Sequence, residues 1–280
     1  EKSNFYLNLS NYLNPKFILN SSLIAENFYF NQEYDKAKKV LKKFNKKYEF
    51  YYWFRVKKEA QIIIKEQGYD DGIDFIVKKF NKIENPNLRM VFDIANFYKN
   101  SKKYEKAIKN YTQIISTLND DSEIKSDLLY RRGGSYERLG DYENADKDLL
   151  NSLKINPEDA YVLNYLAYSW LERDYEIDKA MKMLEKAYAL RSNDPYITDS
   201  IGWAYYLIDD YVEAEKYIKK AVELMPEDPV VNDHYGDILW KLNRKIQARY
   251  FWNNVLNSDD TEDDLREKVN IKIIEGLKNS

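Results

Sequence analysis

The chain has 280 residues, 44% of them hydrophobic and 32% charged, enough to bury a sizeable core, and its lack of cysteine excludes disulfides, thiolate metal sites and a cysteine nucleophile. Only 8 glycines and 6 prolines leave few places for strand turns or phosphate loops, which favours helices. The net charge is −3, yet residues 1–125 carry 23 Lys/Arg against 16 Asp/Glu while residues 126–280 carry 21 against 31; compositional drift explains this more simply than two surfaces with different partners. No stretch approaches the ~18 uninterrupted apolar residues of a bilayer crossing.

In chain order, residues 4–13 (NFYLNLSNYL) read as the second helix of a hairpin whose first helix is missing, because Pro15 falls where a unit would close; the chain is expected to extend upstream. From Ile18 one frame recurs seven times, in units beginning at Ile18, Trp53, Leu88, Ser126, Ala160, Pro195 and Pro229. Position 8 of the frame reads Ala25, Ala60, Ala95, Gly133, Ala167, Gly202 and Gly236. Position 20 reads Ala37, Gly72, Ala107, Ala145, Ala180, Ala214 and Ala248, with one extra residue in the turn before Ala180. Position 17 is Tyr34, Tyr69, Tyr104, Tyr142 and Tyr211, broken by Ile177 and Lys245, and position 11 is large: Phe28, Ile63, Tyr98, Tyr136, Trp170, Tyr205 and Leu239. Extra residues in TLNDDSEIKS, 117–126, mark the expected seam. Beyond the last unit, Thr261 with Asp264 suggests a capping box, and Leu265, Val269 and Ile273 make an apolar stripe ending at Gly276, as a solvating cap helix would.

Positions 4, 7, 8 and 11 form one stripe of a first helix, and positions 20, 24 and 27 one stripe of a second. Small residues at 8 and 20 let the two backbones approach, and the large residue at 11 fills the adjoining gap. Turn sequences such as LGDYENA and IDDYVEA break the first helix and return the chain as a hairpin. One hairpin cannot cover its own apolar face, so the units must stack.

This pattern, with proline closing units at Pro157 and Pro226, resembles the tetratricopeptide repeat over about residues 18–262. The resemblance implies an all-α, right-handed α-solenoid of about seven helical hairpins, with residues 1–17 a half-repeat, 18–262 the array and 263–280 a capping helix. The last three units also look like the C-terminal part of bacterial envelope tetratricopeptide proteins, some of them lipoproteins that act as adaptors for a processing protease. That implies a protein partner, possible protease or envelope complexes included, and a place in the periplasm or on the periplasmic face of the outer membrane, with the cytoplasm as the alternative.

Catalytic constellations are not found. His234 is the only histidine and no cysteine can complete a metal site with it, so an ordinary hydrogen-bonded or exposed histidine is expected. Gly133 and Gly140 in RRGGSYERLG serve the small position and the turn, and no strand or Lys-Ser/Thr makes a phosphate loop of them. The pairs Asp209/Asp210 and Asp259/Asp260 suit helix starts. The run KAKKVLKKFNKKY, 36–48, invites an RNA-associated reading, but its lysines lie opposite Val40 and Phe44 as a solvated face would, without a stacking module. No enzyme activity, cofactor or metal is expected.

The resemblance implies that first helices line a concave side, with positions 2, 5, 9 and 12 facing inward. In the last three units these include Tyr161, Asn164 and Tyr168; Tyr196, Asp199, Trp203 and Tyr206; and Asp233, Asp237 and Trp240. Rings with interspersed Asn and Asp suit an extended peptide, and the three aspartates would favour a basic segment. These positions lie off the packing stripe, so Trp203→Ala or Asp199→Lys is expected to spare stability while weakening partner capture. The earlier units differ, with Phe54, Lys57, Gln61 and Ile64, then Arg89, Phe92, Asn96 and Lys99. One subset of the family grips an acidic C-terminus through Lys at 5 and Asn at 9; here Asn96 is paired with Phe92, so that clamp is not supported. The function expected is a non-catalytic scaffold that binds a peptide or protein in its groove, chiefly through the C-terminal units. RNA binding by the basic half, or a role as the non-catalytic part of a larger enzyme assembly, stands as the alternative.

Overall fold

Every helix that must turn back on itself needs a residue that ends it, and here the ending repeats in register. The computed structural model describes residues 2–14, 17–45 and 49–277, so Pro15 and the end of the basic run, 46–48, lie outside the described residues. Among the described residues there are sixteen helices and no strand. Helix α1 (Lys2–Leu13) precedes seven hairpins: α2 (Ile18–Phe30) with α3 (Tyr34–Leu41), α4 (Glu49–Gln67) with α5 (Tyr69–Phe80), α6 (Leu88–Asn100) with α7 (Tyr104–Ile115), and α8 (Glu123–Glu137) with α9 (Tyr142–Ile155). They continue with α10 (Ala160–Leu171) and α11 (Ile177–Leu190), α12 (Pro195–Leu207) and α13 (Tyr211–Leu224), and α14 (Pro229–Lys241) and α15 (Lys245–Asn257). Helix α16 (Asp263–Glu275) follows the last hairpin.

Position 17 starts the second helix in every unit, whether it is tyrosine or one of the two exceptions, Ile177 and Lys245. Position 15 explains why. Gln32, Lys102, Gly140, Asp174, Asp209 and Asn243 all occupy it with positive φ, between 52° and 76°. In the same six turns the amide of position 16 bonds the carbonyl of position 11, as in Lys103 N to Tyr98 O at 2.9 Å and Asp210 N to Tyr205 O at 2.9 Å. A left-handed residue followed by this six-to-one bond satisfies the carbonyls of the last turn and points the chain back. The extra residue before Ala180 is absorbed by a second left-handed residue, Glu176. First helices in the later units begin on aspartates: Asp159, Asp194 and Asp228 each accept two backbone amides, with Pro195 and Pro229 in the first turn.

Two first helices start earlier than the frame, α4 at Glu49 and α8 at Glu123, where no Asp-Pro pair forces a boundary. The capping box does not form. Thr261 Oγ1 donates to Val255 O at 2.5 Å, and Glu262 precedes α16 without a side-chain cap.

The small positions are buried to 1% exposure or less at Ala25, Ala37, Ala60, Ala95, Ala107, Ala145, Ala167, Ala180, Ala214 and Ala248. At Gly72 a Cβ would fall 3.0 Å from Ala60 O, the close approach of 20 to 8 that the sequence implies. Gly202 and Gly236, at position 8, also make room for a side chain. A Cβ on Gly202 would meet Ile218 Cγ1 at 2.6 Å, and one on Gly236 would meet Trp252 Nε1 at 2.3 Å, so the missing side chain makes room for the large residue at position 24.

The chain divides into two compact units, the first comprising residues 1–119 with 131–145 and the second 120–130 with 146–280. The first has its core in Trp53, Val56, Ala60, Ile76, Met90 and Ile94, with a further cluster around Leu41, Phe44 and Ile62. The second is built on Leu166, Trp170, Leu184 and Ile201 and, further along, on Ile218, Leu239, Trp252 and Val269.

Substituting Gly236→Ala sets a helix-propensity gain of ~1 kcal/mol against overpacking on a rigid indole that costs ~1–3 kcal/mol. The ring cannot swing clear, because Trp252 is fully buried and its Nε1 is bonded to Asp237. The expected outcome is a net loss of stability, read as a lower midpoint in urea unfolding followed by tryptophan fluorescence.

Candidate functional site

Helices α10, α12 and α14 carry the expected inward positions of the second unit, and the structure gives them three different fates. On α10, Tyr161 is 45% exposed, donates to Asp194 Oδ2 at 3.1 Å and lies under the Arg191 guanidinium at 5.0 Å. Tyr168 is half-buried, and burial together with Glu172 and Asp199 pushes its phenol strongly up, so it stays protonated. Asn164 is half-buried, and its Oδ1 is a buried atom without a hydrogen-bond partner. On α12, Tyr196 is 62% exposed. Trp203 stacks on Tyr206 at 4.4 Å and on His234 at 4.0 Å, and its Nε1 donates to Glu172 Oε1 at 3.0 Å.

The three aspartates are not free, which corrects the expectation that they face a partner's basic segment. Asp199 is buried and paired with His234 Nδ1 at 2.9 Å. Asp233 and Asp237, four residues apart on α14 and both buried, close on one amine: Lys272 Nζ donates to Asp233 at 2.7 and 2.8 Å and to Asp237 at 2.8 and 2.9 Å. Trp252 Nε1 donates to Asp237 Oδ1 at 2.9 Å. The basic group that satisfies this acidic face is the chain's own, delivered by α16. Trp240 is likewise engaged, against Trp252 at 5.4 Å and against Gly276, whose φ of 78° lets the backbone pass where a Cβ would fall 2.0 Å from the indole. The cap helix therefore does more than solvate the end. Asp199→Lys would bury a cation beside His234, and Trp203→Ala would remove the ring that covers the imidazole, so neither substitution is expected to spare stability.

The electrostatics follow from burial. For His234, burial alone would lower the pKa, but the charge and hydrogen bond of Asp199, with Asp233 and Asp237 nearby, outweigh it and raise it above 6.5. For Asp237, burial and the adjacent Asp233 raise the pKa to about 6, against the lowering pull of Lys272. Lys272 itself is raised by Asp237 and Asp233 despite the opposing effect of burial. Among the described residues no group of His, Cys, Asp and Glu is arranged to hold a metal ion.

Sequence reasoning named the inward positions of the first unit without choosing them as the site, and there the structure has a concave cavity of about 420 Å³. All four inward positions of the second hairpin, Phe54, Lys57, Gln61 and Ile64, line it, together with Asn96 of the third. Lys57 is paired with Asp93 at 2.9 Å and Lys58 with Glu26 at 3.0 Å. Gln61 Oε1 is a buried atom without a hydrogen-bond partner. The frame had marked these positions, but three of the four lacked the aromatic ring or carboxylate that drew attention to the later units.

Residues 88–117, 126–159 and 200–228 match the family model of the tetratricopeptide repeat. Over 160 residues the chain is 26% identical to a tetratricopeptide-repeat-containing protein of Pseudomonas aeruginosa, which covers 57% of this chain and 26% of that protein. Over 113 residues it is 30% identical to a homologue of lipoprotein NlpI from Haemophilus influenzae, covering 40% of this chain and 35% of that one. The aligned parts thus span about a quarter to a third of these curated relatives. Among solved structures, a tetratricopeptide-repeat protein of Parabacteroides merdae superposes with a TM-score of 0.57 at 17% identity, over 78% of this chain and 86% of that one. One of Thermus thermophilus gives 0.56 at 16% identity, over 66% and 97%. At these identities the likeness is one of fold.

A raised histidine pKa means that the folded state holds the proton more tightly, so this contribution is complete below about pH 6.5 and is lost as pH rises through the folded value. Asp237 has the same sign at lower pH: its contribution is present below 3.8 and lost as pH climbs through about 6. Thermal unfolding between pH 4 and 9 is expected to show the second unit losing stability along this path. His234→Gln removes the fall above pH 6.5, and Asp237→Asn removes the fall below it. A melting temperature of the His234→Gln protein that declines as steeply above pH 6.5 as that of the wild type contradicts the assignment.

Proposed function

We propose that the chain, which matches the tetratricopeptide-repeat model over residues 88–117, 126–159 and 200–228, is a non-catalytic adaptor of that family holding an extended segment of a protein partner on the faces of α10 and α12. The observation that carries this reading is Asn164. A buried amide oxygen without a donor costs ~1–3 kcal/mol, and it sits at an inward position flanked by rings, with Tyr161 and Tyr196 exposed. A backbone N–H of a guest supplies the donor after a rotation of the amide, while Tyr161 and Tyr196 cover apolar side chains. Because Asp199, Asp233 and Asp237 are paired internally, the guest for this face is apolar or aromatic rather than basic.

The lipoprotein relative supports a place at the cell envelope. No described helix is long and apolar enough to cross a membrane. Cell fractionation decides between envelope and cytoplasm.

The test pairs stability with capture. Tyr196→Ala removes an exposed ring and leaves the melting temperature unchanged; Asn164→Leu replaces an unpartnered amide with an apolar side chain of similar size and leaves it unchanged or higher. Both are expected to lose the proteins that the wild-type chain retains in affinity capture with mass-spectrometric identification. Retention of the same proteins at the same yield by both variants defeats the reading.

A further inference from the structure

We propose that α16 is a pH-gated latch, which leaves α14 as pH rises toward neutrality and bares Asp233, Asp237 and Trp240 while the hairpins stay folded. The latch works in the same way whether or not a guest sits on α10 and α12.

Helix α16 is held by little apolar contact. Of its 13 residues only Val269 is buried, whereas α14 buries nine and α15 three; Leu265 and Ile273 pack in part against the cluster around Trp252. The segment that leads into it is exposed at Asp259, Asp260 and Glu262, so a hinge there disturbs no core. The remaining ties are polar or local. Arg249 Nε of α15 donates to Ile273 O at 2.9 Å, Gly276 covers the Trp240 indole, and Lys272 Nζ closes on Asp233 and Asp237. A helix docked by so few buried side chains opens at a lower free energy than the core it covers.

The tie to α14 is unbalanced in charge. One ammonium faces two buried carboxylates and neutralises one of them, so the closed site favours a proton on the other. No neighbour supplies the missing positive charge. On α14 itself, His234 is bonded to Asp199 of α12. From α12 Tyr206 presents a phenol that burial and Asp237 keep protonated. From α15 Trp252 offers a neutral N–H, and Arg249 and Lys245 lie over the Trp240 ring; on α16 itself, Lys268 and Glu275 are exposed. The pKa of Asp237 agrees with this count, raised to about 6 by burial and Asp233 against the pull of Lys272 and His234. Opening α16 lets water reach both carboxylates and returns Asp237 toward 3.8, so the open form binds fewer protons. The closed form is therefore favoured most at low pH and loses that advantage as pH climbs through about 6.

The experiment is hydrogen–deuterium exchange of the full chain at pH 5 and pH 7, read by mass spectrometry on peptides from α14, α15 and α16, with labelling times scaled to the chemical exchange rate at each pH. At both pH values α16 is expected to be about tenfold or more less protected than α14 and α15, the mark of a helix that opens alone. A return of Asp237 from about 6 to 3.8 on opening lowers the protection of α16 a further roughly tenfold from pH 5 to pH 7. Asp237→Asn, a neutral isostere that keeps the acceptor for Trp252, abolishes this fall. Asp233→Asn also leaves one carboxylate to one amine and serves if the first variant fails to fold. Lys272→Met strips α16 of protection at pH 7 and leaves α14 and α15 protected. Equal protection of α16, α14 and α15 overturns the proposal, because the helix then opens only with its whole unit. Protection of α16 that is unchanged between pH 5 and pH 7, or a fall that persists in Asp237→Asn, overturns it as well.

Discussion

Each hairpin rests on the absence of side chains where its two helices cross. Alanine at positions 8 and 20 brings the backbones together, and where glycine replaces it at position 8 the space goes to a bulky residue of the second helix, Ile218 or Trp252. Small interface residues alone do not hold a hairpin, since they bury little apolar area each. The stabilisation comes from the large side chains that the close approach draws into contact, which is why Trp252 is fully buried one turn beyond Ala248. The turn is the second half of the same constraint. A left-handed residue at position 15 with the bond from 16 to 11 fixes the entry of the second helix, and asparagine and glycine accept that backbone more readily than Gln32 or Lys102, which take it under the demand of the packing.

The interior places its polar groups where the helices need not touch so closely. Burying three aspartates is unfavourable unless each is paired, and Lys272 and His234 provide the pairing. Removing either cation leaves carboxylates buried beside one another, so the cluster ties α16 to α14 by necessity as much as by attraction. The rings of Trp203 and Trp240 take part in the same arrangement, one lying on the imidazole and the other under Gly276.

The hairpin pattern was legible because it is periodic. Once the extra residue before Ala180 is allowed, position 17 coincides with the start of every second helix, including those at Ile177 and Lys245, where the tyrosine is missing. The site was less legible because its contacts are not periodic. Nothing about Lys272 marks it as the partner of residues 35 and 39 positions upstream, and helical wheels treat Asp233 and Asp237 as free simply because they lie off the apolar stripe. Burial by a helix beyond the repeat inverted their meaning. Gln61 failed the opposite way, since an amide among lysines looks ordinary in sequence and shows its unmet oxygen only once its neighbours are placed.

That contrast bears on what a scaffold of this kind can offer. A polar group satisfied within the chain gives a guest nothing unless the guest replaces its partner, whereas an unsatisfied one gains its full hydrogen bond on binding. By this criterion the acidic face of α14 is satisfied within the chain, although it carries more charge than any other inward surface in its unit, and the buried amide oxygens of Gln61 and Asn164 are not. The two unsatisfied acceptors are set among different neighbours, lysines around Gln61 and tyrosines around Asn164.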